Sequence, residues 1–196
     1  MEIPVFLFNG FLDSGKTTFV QDTIEDEEFL AGEKVLLITC EEGECEYDEK
    51  ELLKKGILLE KVEDEEDFTP EYLQSCQVKY MPQKVMIEYN GMWRMEKIYG
   101  MKLPKYWEIV QVITTVDAST FSLYLNNMRS LIMEQFQDTD MVIFNRCDDG
   151  FVGHCTQRIG YSRARQAGLL GDFRGLLRYV CYLYFDGACN YGFLWQ

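Results

Sequence analysis

The segment Gly10-Phe11-Leu12-Asp13-Ser14-Gly15-Lys16-Thr17 constrains this chain more than any other feature. It has the form G-x4-G-K-[ST], a loop whose backbone N–H groups curl inward around a polyphosphate. The pattern carries that meaning only between a buried strand and a helix. Both are expected here. Residues 3–9 (IPVFLFN) are an apolar run of strand length, and residues 16–31 read as a helix. Glycine permits the backbone path, and the helix N-terminus adds partial positive charge. Lys16 supplies a point charge for the β- and γ-phosphate oxygens, and Thr17 offers a hydroxyl to Mg²⁺. Lys16 and Thr17 are therefore the candidate catalytic residues. Gly10, Asp13, Ser14, Gly15, Lys16 and Thr17 form the candidate phosphate-binding set. Asp13 is unusual there, because a carboxylate near phosphates is repelled unless it faces a metal, a base or the nucleophile.

Short apolar runs alternate with helical patterns along the next hundred residues. Residues 34–40 (KVLLITC), 57–62 (ILLEKV), 84–89 (KVMIEY), 108–117 (EIVQVITTVD) and 141–145 (MVIFN) read as strands. Residues 48–55 and 92–100 read as helices, as does a stretch from Thr69 to about Lys79. In the last, Thr69 is the cap and Pro70 the first helical residue. Ser119 is expected to cap a further helix to about Gln137. Strands alternating with helices build a parallel sheet. Continuously apolar strands imply burial on both faces. The expected fold is α/β, a three-layer P-loop NTPase with a mostly parallel central sheet flanked by helices.

In such a sheet the loops after the strands share one edge, and three of them carry suitable chemistry. Glu88-Tyr89-Asn90-Gly91 ends one strand. Glu88 can hold Mg²⁺ directly or through water, and Gly91 lets an N–H approach the γ-phosphate. A plain strand end with a turn would look the same. Asn145-Arg146-Cys147-Asp148 ends another. Many GTPases place N-K-x-D there, and its Asp accepts the guanine N1–H and N2–H₂. Arg146 keeps the positive charge and aliphatic stem of the usual Lys but changes its shape. Asn145 and Asp148 are the candidate base-binding residues. The third loop, Cys40 to Asp48 (CEEGECEYD), reads either as a solvated acidic loop or as a segment that senses Mg²⁺, the γ-phosphate or a second metal.

Composition narrows the function classes. With 33 acidic against 19 basic side chains and a net charge of −14, no sequence-independent nucleic-acid partner and no anionic membrane surface is expected. No apolar run approaches the length of a membrane span, and no signal-peptide pattern opens the chain. Seven irregularly spaced cysteines argue for reduced thiols and a cytoplasmic location. The charge is also uneven. Residues 151–196 hold 2 acidic and 5 basic side chains, no Lys, no Glu, and 7 of the 15 glycines. The expectation is a nucleotide-binding domain over 1–149, incomplete at its C-terminal end. Residues 150–196 would be an atypical tail, either out of frame or poorly ordered.

Taken in order, these pieces resemble the CobW/HypB/UreG family of P-loop GTPases, on its CobW side. The matches are Gly10–Thr18 (family G-F-L-G-S-G-K-T-T), Cys40–Asp48 (family N-E-F-G-E-x-x-x-D, kept at Glu41, Gly43, Glu44 and Asp48), Glu88-x-x-Gly91 (family E-T-T-G), Val116-Asp117-Ala118 and Asn145-x-x-Asp148. The first match extends the phosphate set to Thr18. The resemblance implies Mg²⁺-GTP binding and slow hydrolysis coupled to metal delivery or insertion, commonly of zinc, cobalt or nickel. The partners it points to are guanine nucleotide, a metal-requiring client protein and a homo-oligomer. An ATP-dependent ATPase or kinase, and a truncated non-catalytic nucleotide-binding fragment, stand as alternatives. CobW-type proteins usually carry C-x-C-C after the acidic segment. Here Leu59–Tyr72 has no Cys and holds Glu63-Asp64-Glu65-Glu66-Asp67 instead, so the soft thiolate site expected for Zn²⁺ or Co²⁺ is not visible. Glu41, Glu44 and Cys45, with Thr17 and Glu88 for Mg²⁺, are the candidate metal ligands. Cys40, Cys76 and Cys147 read as small buried hydrophobes, and His154 as incidental.

Overall fold

A strand that starts at the third residue becomes the middle of the sheet. The computed structural model describes residues 2–41 and 47–146. The elements run β1 (Ile3–Asn9), α1 (Lys16–Glu25), α2 (Glu27–Leu30), β2 (Val35–Thr39), α3 (Glu49–Lys54), β3 (Ile57–Lys61), α4 (Pro70–Tyr80), β4 (Lys84–Glu88), α5 (Met95–Gly100), β5 (Trp107–Asp117), α6 (Phe121–Asn127), α7 (Arg129–Gln137) and β6 (Met141–Asn145). The six described strands lie in the order β3-β2-β4-β1-β5-β6, and every pair is parallel. The α/β expectation holds.

Every residue of β2 and of β4 is buried, as continuously apolar strands require. Successive side chains go to opposite faces. Val5, Leu7, Leu36, Ile38, Val85 and Ile87 meet Leu73 of α4 and Met95 and Ile98 of α5. Phe8, Leu37 and Met86 meet Phe19 and Val20 of α1 and Leu52 of α3. At the β6 edge, Val142 and Phe144 pack under Ile132 and Phe136 of α7. The result is three layers. Cys40 and Cys76 are buried free thiols in the α4/α5 layer, as small hydrophobes would be, and burial pushes the Cys40 thiol up.

Local chemistry sets the boundaries, sometimes against the periodicity. Thr69 caps α4 by accepting from Tyr72 N, with Pro70 at its start, as expected. The single helix expected over 16–31 is broken. Asp26 takes an extended conformation, and its carboxylate accepts from Glu28 N at 2.8 Å and Phe29 N at 3.3 Å, capping a second helix. Ser119 does not cap the helix that follows β5. Its hydroxyl donates to Asp117 at 2.6 Å instead, and the helix begins at Phe121. That helix is interrupted again at Met128, between α6 and α7. No helix among the described residues is long and apolar enough to cross a membrane. The expectations for Glu44, Cys45, Cys147, Asp148, His154 and the tail 150–196 lie outside the described residues.

Candidate functional site

Because all described strands are parallel, their carboxyl ends share one edge. It gathers the loop after β1, Glu41 after β2, Glu88 and Gly91 at the end of β4, Asp117 at the end of β5 and Asn145 at the end of β6. This is where α/β sheets bind ligands.

The phosphate loop is held by contacts from far along the chain. Gly15 takes a φ of 91°, a left-handed value, immediately before α1. A side chain is strained at that φ, and its Cβ would also press on the Asn145 amide, 2.3 Å from Nδ2. Gly91 has no room for a side chain. Its Cβ would sit 1.9 Å from the Gly10 carbonyl oxygen, because the turn after β4 runs backbone to backbone against the loop. Ser14 Oγ and Thr115 Oγ1 share a buried hydrogen bond of 2.6 Å. Gln135 of α7 donates to the Gly91 carbonyl at 2.5 Å.

Lys16 is buried. Its ammonium donates to the carbonyls of Gly10 at 2.7 Å and Phe11 at 2.9 Å, and it pairs with Glu41 at 2.5 Å. Thr17 donates its hydroxyl to Glu88 Oε1 at 2.6 Å. Tyr47 donates to Glu88 Oε2 at 2.7 Å. Glu88 is only 1% exposed. Burial raises its pKa above the ordinary carboxylate value, and the bonds from Thr17 and Tyr47 oppose that without cancelling it. Asp13 and Thr18 are exposed, and Asp13 carries a left-handed φ of 59°.

At the other end, Asn145 lies over the phosphate loop, its amide 3.5 Å from the Ser14 carbonyl. Arg146 donates to Asp117 Oδ2 at 2.8 Å. Ser119 donates to Asp117 Oδ1 from both its backbone N–H and its hydroxyl. Burial alone would raise the Asp117 pKa, but Ser119 and Arg146 together hold it below the usual value.

These residues fit a polyphosphate with a divalent cation. The loop leads into the N-terminus of α1, Lys16 supplies a cation, and Thr17 and Glu88 a pair of hard oxygen donors of the type Mg²⁺ prefers. The acidic stretch after β3 is tied down differently. Phe68 is fully buried, and Lys97 of α5 donates to the Glu65 carbonyl. Among the described residues no group of three or more His, Cys, Asp and Glu is arranged to hold a metal.

Sequence reading brought Lys16, Thr17, Glu88, Gly91 and Asn145 to one edge, where the structure places them. It missed Thr115, Gln135 and Tyr47, which act on the site from other elements. Only Tyr47, inside the acidic segment, carried a signal that could have been followed.

The sequence profile described as CobW/HypB/UreG, nucleotide-binding domain, matches residues 4–154. No curated protein sequence matches the chain. Among solved structures, the crystal structure of FlhF complexed with GMPPNP and Mg²⁺ aligns with a TM-score of 0.44 at 15% identity, covering 79% of this chain and 61% of that one.

Proposed function

The chain belongs to the CobW/HypB/UreG family through its nucleotide-binding domain, and from that premise we propose that it is a GTP-binding protein that hydrolyses GTP slowly and couples this to metal delivery or insertion. The observation that carries the nucleotide part is the convergence of Lys16, Thr17 and Glu88. The Thr17 hydroxyl and the Glu88 carboxylate, 71 residues apart in sequence, meet at 2.6 Å beside a buried lysine.

In this reading the loop amides and Lys16 bind and orient the phosphates, while Thr17 and Glu88 hold Mg²⁺. Bound there, Mg²⁺ supplies charge neutralisation for phosphoryl transfer. Gly91, packed against the Gly10 backbone, would offer its N–H to the terminal phosphate. Asn145 joins the base loop to the phosphate loop, and Asp148 accepts from guanine. Zn²⁺ or Co²⁺ would be cargo for a client protein, with Glu41, Glu44 and Cys45 as candidate ligands.

Three measurements test the parts separately. Mg²⁺-GTP should raise the melting temperature of the purified protein; an unmoved value leaves a non-catalytic fragment. GTP should displace a labelled GTP analogue far better than ATP; equal displacement by ATP overturns the guanine assignment in favour of an ATPase or kinase. Zn²⁺ or Co²⁺ should bind with an affinity that depends on GTP; nucleotide-independent binding removes the delivery role.

A further inference from the structure

We propose that Glu41 is an internal substitute for the terminal phosphate, so that nucleotide enters this site by displacing a carboxylate from Lys16. The inference rests on the nucleotide-binding reading above and specifies how that site is regulated.

An ammonium has three N–H donors. Those of Lys16 are met by the Gly10 carbonyl at 2.7 Å, the Phe11 carbonyl at 2.9 Å and the Glu41 carboxylate at 2.5 Å. The side chains of the ion pair are 2% and 9% exposed, so water does little of the work. A phosphate oxygen that reaches Lys16 has to take a donor from one of these three partners. The two carbonyls belong to the phosphate loop, which the Ser14–Thr115 bond fixes to β5. Glu41 comes from a different element, just beyond β2. Its oxygens match a phosphate in charge and in hydrogen-bonding type, and two anions crowded on one ammonium repel each other. The carboxylate is therefore the partner that leaves.

A second contact has the same character. Tyr47 holds Glu88 Oε2 while Thr17 holds Oε1. Glu41 and Tyr47 thus each secure one half of the nucleotide-free site, the lysine and the carboxylate. The cost of freeing Glu41 lowers the observed affinity below what the bare loop would give, as any ligand pays for selecting a minor state.

The test measures binding of a fluorescent GTP analogue to the full chain, in EDTA and in Mg²⁺, for the parent, E41Q and E41D. E41Q removes the competitor and should bind about tenfold tighter in EDTA, the equivalent of about 1.4 kcal/mol. Inorganic triphosphate, which has no base, should gain by the same factor. E41D keeps the charge but draws it back by one methylene, and should also bind tighter than the parent. The melting temperature of nucleotide-free E41Q should fall, because Lys16 is left buried without its counterion. Affinity and stability then move in opposite directions, which a purely structural role for Glu41 does not produce. Unchanged or weaker binding by E41Q, with the parent binding normally, overturns the proposal and leaves the nucleotide reading intact. A gain in E41Q with none in E41D assigns the effect to net charge and also overturns it. A parent that binds neither probe removes the nucleotide reading, and this inference falls with it.

Discussion

The phosphate end of the site and its base end are built on opposite principles. Lys16 and Glu88 are buried, and their partners come from the loop after β1, from Thr17 of α1, from Glu41 just beyond β2 and from Tyr47. Around Asn145 and Arg146 the surface is open, and the Arg146 side chain is 56% exposed. Phosphate is the same in every nucleotide, so its end can be set in a packed, saturated frame. In the proposed reading the base end has to discriminate, and it would do so with side chains on a strand terminus. Buried charge contacts are costly to break, whereas exposed pairs contribute little. Substitutions should therefore have large effects at one end and small, selective ones at the other.

The sharpest way to break this contrast is K16A. It removes the cation and strands Glu41, so Mg²⁺-GTP affinity should fall by more than about a hundredfold, roughly 3 kcal/mol. Calorimetric titration would show it, and a loss under tenfold would mean the packed frame is not where the binding energy lies. G91A comes next. The added methyl has to displace the Gly10 backbone, which should destabilise the fold by roughly 1–3 kcal/mol in urea unfolding and weaken nucleotide binding with it.

T115V should cost about 1 kcal/mol or slightly more, since it leaves the buried Ser14 hydroxyl without its partner. A several-fold loss in nucleotide affinity should accompany it. The smallest effect belongs to R146A, with a stability change of about 0–1 kcal/mol and a reduced preference for GTP over ATP in competition. The same variant has a pH signature. Asp117 is held below its ordinary value of 3.8, so the unfolded chain binds that proton more readily than the folded one. Its contribution is complete above 3.8 and drains away as pH falls toward the lowered value. Melting curves of R146A in acid should show a shallower decline than the parent.

The same division separates what could be read from the sequence and what could not. The loop, the strand before it and the Thr69-Pro70 helix start are local signals, written in adjacent residues. Glu88 and Gly91 were legible because a parallel sheet brings strand ends together. Thr115, however, lies 101 residues from Ser14, and Gln135 lies 44 from Gly91. A threonine in a β-branched strand and a glutamine in a helix look ordinary until their neighbours are known. The breaks at Asp26 and Met128 were hidden for a different reason. Apolar periodicity continues across both, and only a competing side-chain bond or a local change of dihedral shows where each helix stops. The Lys16–Glu41 pair was hidden because sequence reading assigned each residue to a ligand rather than to the other.

The position of β1 in the sheet has a consequence for how the chain is made. β1 precedes every other described strand in the sequence, yet it pairs with β4 and β5, with Val5 opposite Val85 and Ile3 opposite Trp107. β4 begins only at Lys84 and β5 at Trp107, so neither neighbour exists until some distance along the chain has been translated. The phosphate loop, although complete by its seventeenth residue, hangs from an unpaired strand until β4 and β5 have followed it. Long-range parallel pairing of this kind is slow and leaves apolar edges exposed meanwhile. The most recognisable stretch of the sequence thus depends for its shape on strands that lie far along the chain from it.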